Sequence, residues 1–104
     1  MSKFSSVVFC SLFFVSTQSF ADAKADYEGK CSACHGLGIA GAPKLNDPDN
    51  WKPRVDKGIE TLYENAIKGF TGSAGVMPAK GGFMALSDEE VKAIVDYMVA
   101  NSGL

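Results

Sequence analysis

Residues 31–35 run Cys31-Ser32-Ala33-Cys34-His35. Two thiols three positions apart, followed at once by an imidazole, make the C-x-x-C-H pattern of haem c attachment. The chemistry explains the spacing. Each thiol adds across one vinyl group of a rigid porphyrin, so the two sulfurs must match a fixed separation. The histidine must then lie beside the second anchor to reach the metal axis. The chain has one histidine, and it stands directly after the second of these cysteines. Other uses of the same residues fit poorly. A structural zinc site wants four Cys or His ligands, and only three stand here. A thioredoxin-like pair expects a βαβ setting, which the surrounding sequence does not provide.

Working outward, the 104 residues are 46% hydrophobic and 21% charged. That is one domain's worth of chain and too apolar for intrinsic disorder. The formal charge is −2, with no basic run to neutralise phosphates, so nucleic acid is not an expected partner. The first 21 residues divide into three parts: Lys3, an apolar stretch over 4–15, then small and polar residues up to Ala21. This is the layout of a secretory signal peptide, with cleavage expected after Ala21, or after Ala23 as the alternative. The apolar stretch is short for a membrane span. Cys10 leaves with the leader, and no stable membrane insertion is expected afterwards.

The expected mature domain, 22–104, has 83 residues, nine basic and twelve acidic side chains, and a formal charge of −3. A chain this short rarely stabilises itself by burial alone. A disulfide between Cys31 and Cys34 would close almost no loop and add little. A bound group should complete the core.

The sequence predicts an all-α fold of three to four short helices. Over 59–67, Ile59, Leu62, Tyr63, Ala66 and Ile67 recur with helical period, and Lys68-Gly69 ends the run. Over 87–99, Ser87 and Glu90 form a capping box, and Val91, Ile94, Val95, Met98 and Val99 repeat that period. A weaker helix is expected over 22–32, interrupted by Gly29. Asp47-Pro48 opens a short helix carrying Trp51, with Pro53 expected to limit its length. No alternating strand pattern is visible. Two glycine-rich connections remain, at 36–43 and 69–82. The second holds five glycines in fourteen positions. Its Phe70, Val76, Met77 and Pro78 are too apolar or stiff for a solvated linker, so this loop is expected to lie against something flat.

A second axial ligand cannot be histidine. Met77, Met84, Met98 and Lys80 are the options. Met98 falls on the apolar stripe of the last helix, and Met84 reads as a packing residue before the Ser87 cap. Met77 precedes Pro78, which holds it extended, within the glycine-rich loop. It is the favoured ligand, with Met84, Lys80 or an open iron as alternatives.

In order, these pieces resemble the small monohaem class I cytochromes c of bacteria, most of all the c5 type. The shared features are Tyr27 four before the first thiol, the Cys31–His35 motif, Gly41-Ala42-Pro43 and Trp51 with Arg54. They continue with Gly69, Met77-Pro78, Lys80-Gly81-Gly82, Leu86-Ser87-Asp88-Glu89-Glu90 and Asp96-Tyr97-Met98. The resemblance implies that Cys31 and Cys34 hold the porphyrin, that His35 is the proximal ligand and that Met77 is the distal one. It implies that the Pro43 carbonyl orients the imidazole, that Trp51 and Arg54 meet the haem propionates, and that Tyr27 packs near Tyr97. One departure stands out. Many c5-type members carry a cysteine pair before the last helix. Here Phe83 and Leu86 occupy those places, and apolar packing is expected in the bridge's stead.

The expected activity is one-electron carriage in the periplasm, cycling Fe(II) and Fe(III) without substrate chemistry. The expected partners are redox proteins: a membrane cytochrome complex, a terminal oxidase or a periplasmic reductase. A monomer or weak dimer is expected. Partner docking is expected at an apolar rim formed by Ala33, Leu37, Ile39 and the 72–77 loop. If Met77 does not reach the iron, the alternative is a five-coordinate haem c sensor or enzyme subunit.

Overall fold

The computed structural model describes residues 20–104. The expected signal peptide, 1–21, lies outside them except for its last two residues. Helix α1 (Phe20–Asp26) runs into a π-helical turn (Tyr27–Cys31) and then into the four-residue α2 (Ser32–His35). The chain stays helical through Gly29, extending the expected element at both ends. The π turn admits one extra residue per turn, and the Ser32 N–H reaches back to the Tyr27 carbonyl. The helix does not break here because its other face is buried. Ala23 and Tyr27 are core residues, and the Tyr27 ring lies 5.3 Å from that of Tyr97, tilted by 43°.

Helix α3 spans Pro48–Val55 with Pro48 in its first turn. Pro53 lies inside it and does not limit its length as expected. The missing proline N–H forgoes one hydrogen bond, while Trp51 buries almost its whole side chain. The Arg54 Nη1 donates to the Asn50 carbonyl at 2.7 Å one turn back. Burial of the indole therefore outweighs the local cost. Helix α4 (Ile59–Lys68) lies between Gly58 and Gly69, both at positive φ. Its Ala66 is buried, with Leu62, Tyr63 and Ile67 packed against the core.

Helix α5 (Asp88–Ala100) begins with the capping box read from the sequence. The Glu90 N–H donates to the Ser87 hydroxyl at 3.1 Å, and the Ser87 N–H to the Glu90 carboxylate at 3.0 Å. Its Val91, Ile94, Val95 and Met98 are buried. They form the centre of a core completed by Tyr27, Trp51, Ala66 and Leu86. Of the two residues expected to replace a disulfide by packing, Leu86 is buried while Phe83 remains 43% exposed, so the substitution is only half a core contact.

The glycine-rich 69–82 connection contains a small antiparallel ribbon, β1 (Phe70–Gly72) and β2 (Gly75–Met77). Phe70 pairs with Met77, Thr71 with Val76, and Gly72 with Gly75. The fold remains predominantly α. Strands of three residues are too short to display an alternating pattern, so the sequence carries no sign of them.

Candidate haem site

Helices α2, α3 and α4, the 39–43 loop and the β ribbon surround a cavity of about 490 Å³. Its walls bring together Cys31, Cys34, His35, Pro43, Trp51 and Met77, with Val95 and Met98 from α5. All four expected site residues face one space.

His35 ends α2 and is buried. Its Nδ1 lies 3.0 Å from the Pro43 carbonyl oxygen. A carbonyl can only accept, so the Nδ1–H donates and Nε2 keeps its lone pair. Burial pushes the His35 pKa down; the Pro43 bond opposes this and nearby Arg54 adds to it. The ring is held as a neutral donor of fixed tautomer, as metal ligation requires. The indole of Trp51 lies nearly parallel to the imidazole, with centroids 6.3 Å apart. The single indole N–H donates to the Lys44 carbonyl at 2.7 Å. Trp51 thus serves as a wall of the cavity with its polar atom already satisfied.

Cys31 is half-buried and Cys34 exposed, and neither forms a disulfide. Burial, with Asp26 nearby, pushes the Cys31 thiol pKa up. The π turn delivers Cys31 and α2 delivers Cys34 to the same cavity. Among the described residues no group of three or more His, Cys, Asp or Glu side chains gathers to hold a metal ion.

The other candidate ligands are differently placed, although Met98 shares the cavity wall with Met77. Met98 is buried in the core, Met84 is 65% exposed, and Lys80 donates to the Leu86 carbonyl at 2.6 Å while pairing with Asp88. The packing role expected of Met84 is not realised. Met77, at the end of β2, lines the cavity.

The cavity also holds residues the sequence reading missed. Asn50 and Lys57 line it beside Arg54, and Lys57 lies 6.0 Å over the Phe70 ring. The three occur at i, i+4 and i+7, a helical spacing that could have placed them on one face. Lys30 lines it as well, paired to Asp26 at 3.0 Å. No carboxylate side chain lines this cavity among the described residues, so the charged side chains on its wall are all basic.

The chemistry of this donor set fits a haem. The volume falls within the range of about 300–1,000 Å³ common for small-molecule sites. Its wall supplies two thiols, a neutral imidazole, a thioether and cations for carboxylate groups.

Comparison with known proteins agrees. Residues 18–98 match the family model described as cytochrome c oxidase, cbb3-type, subunit III. Cytochrome c-555 of Chlorobaculum tepidum is 44% identical over 98% of this chain and 99% of its own. Cytochrome c5 of Ectopseudomonas mendocina is 39% identical over 65% of this chain and 76% of its own. A chain in the crystal structure of an electron transfer complex of nitrite reductase with cytochrome c superposes with a TM-score of 0.68. It is 34% identical, and the match covers 77% of this chain and 93% of that one. The chain belongs to the cytochrome c family, in its class I monohaem branch, as an electron carrier with one covalently attached haem c.

Proposed function

We propose that this protein is a periplasmic one-electron carrier in which His35 and Met77 are the two axial ligands and Cys31 and Cys34 the covalent anchors. The observation that carries the reading is the convergence of these four side chains on one cavity, with His35 already held in the ligating tautomer by Pro43. A haem c held there supplies the Fe(II)/Fe(III) couple. The chain's own residues do the rest. Pro43 fixes the imidazole, Met77 offers a thioether that favours the reduced state and raises the potential, and the apolar wall limits water. Arg54, Asn50 and Lys57 provide donors for the propionates.

Filling both axial positions leaves no place for a substrate, which suits an electron carrier. The exposed Leu37, Ile39 and Val76, the latter two at the cavity wall, form the docking rim. Small apolar contacts of this kind suit brief redox encounters, typically under about 1,200 Å². A nitrite reductase or a cbb3-type oxidase is the class of partner that fits, in line with the names carried by similar proteins. Signal cleavage after Ala21 fits the fold better than cleavage after Ala23, because Ala23 is a core residue of α1.

The test is Met77→Ala. The variant should keep its haem, lose the weak red absorption band of sulfur-ligated ferric haem, show a lower potential and bind cyanide. A variant that keeps the red band and excludes cyanide would move the ligand elsewhere.

A further inference from the structure

The two loops that carry the ligand machinery cross backbone to backbone. Gly41, two residues before Pro43, stands at φ 77°, and Gly75, two before Met77, at φ 152°. A Cβ on Gly41 would lie 1.9 Å from the Ala74 carbonyl oxygen, and a Cβ on Gly75 would lie 1.9 Å from the Ala40 carbonyl oxygen. Each glycine therefore meets the carbonyl that precedes the other. Neither contact can relax by turning a side chain, because both obstacles are main chain. Two other glycines at positive φ lack this constraint. Gly58 (φ 96°) and Gly82 (φ 88°) would place a Cβ in open space.

The crossing joins opposite halves of the site. One strand of it leads through Ala42 to Pro43, whose carbonyl holds His35. The other leads through Val76 to Met77. Residues 39–43 and 72–77 both line the cavity, and no side-chain hydrogen bond or ion pair joins these two segments among the described residues. The hairpin's attachment to the proximal side therefore rests on close backbone approach, which only glycine permits.

We propose that Gly41 and Gly75 form a backbone clasp that holds the Met77 ribbon against the His35–Pro43 loop, so that the two glycines are positioning residues for the distal thioether. The proposal rests on Met77 being that ligand. Opening of the clasp swings β2 away, and the fraction of open molecules sets how readily an outside ligand reaches the iron. Apparent affinity scales with that fraction.

The experiment uses the haem-loaded protein and compares Gly41→Ala and Gly75→Ala with Gly58→Ala. The last also puts an alanine at positive φ, but without a clash. Ferric spectrum, reduction potential and cyanide affinity are read for each. The clasp predicts that both crossing variants weaken the red band, lower the potential and bind cyanide at least about tenfold more tightly, as a tenfold larger open fraction requires. It predicts that Gly58→Ala leaves all three unchanged. Equal behaviour of the three variants overturns the clasp. A wild-type protein lacking the red band overturns the Met77 reading instead, so the two failures are distinguishable. If the crossing variants yield no holoprotein, native-state hydrogen exchange on the wild type decides. The clasp predicts that backbone amides of 39–42 and 72–77 exchange through one common opening. Independent opening of the two segments contradicts it.

Discussion

The ammonium of Lys80 donates to the Leu86 carbonyl at 2.6 Å and pairs with Asp88 at 3.1 Å, with 14% of its side chain exposed. This contact holds the Lys80 amine, three residues after Met77, away from competition for the iron. It also ties the end of the glycine-rich connection to the start of α5. Replacing Lys80 by Ala should leave the ferric spectrum at neutral pH unchanged. It should lower stability by about 1.5–3 kcal/mol, the usual range for a hydrogen bond to a charged group. Denaturant titration of the holoprotein checks the second effect, and a spectrum checks the first.

Removing the haem should unfold the domain. The cavity measures about 490 Å³ and its wall includes Trp51, Leu62, Ala66, Val95 and Met98. Without the haem that apolar wall faces water, a loss that a small domain with a total stability of about 5–15 kcal/mol can ill absorb. Cys31→Ala/Cys34→Ala should therefore lack a cooperative thermal transition by circular dichroism. A sharp melt with near-native helicity would show that the protein core suffices alone.

The start of α5 is set by four neighbouring residues, Ser87 to Glu90, and its energetics are simple. Ser87→Ala deletes half of the capping box and should cost about 1 kcal/mol, read by denaturant titration. The reduction potential should not change, because Ser87 does not line the cavity.

A further prediction concerns alkaline pH. Tyr63 donates its hydroxyl proton to Asp96, joining α4 to α5. Its pKa is pushed up to about 12 from 10.0, by burial first and then by the Asp96 hydrogen bond and charge. The folded state thus keeps a proton that the unfolded chain loses earlier. The stabilisation is complete below pH 10 and disappears as pH rises from there through about 12. Tyr63→Phe should flatten that decline relative to the wild type in reversible unfolding measured across this window.

Helices α4 and α5 could be read from sequence because long periodic apolar faces and a capping box are local signals. The Cys31–His35 motif likewise declares its chemistry in five residues. What escaped was decided at a distance. The π turn at Tyr27–Cys31 depends on where Tyr27 meets Tyr97. The continuation of α3 through Pro53 depends on burial of Trp51. The crossing of Gly41 with Gly75 involves main-chain contacts between segments over thirty residues apart, and the β ribbon is built into one side of it. The glycines themselves were visible, and their partners were not.

The most direct test of the account is an anaerobic redox titration of the wild-type holoprotein followed by its absorption spectrum. Ligation by His35 and Met77 predicts a single one-electron step at a fairly positive potential, a ferric form with the weak red band of sulfur ligation, and slow, weak cyanide binding. A high-spin ferric spectrum with an open iron that takes cyanide at once would contradict it.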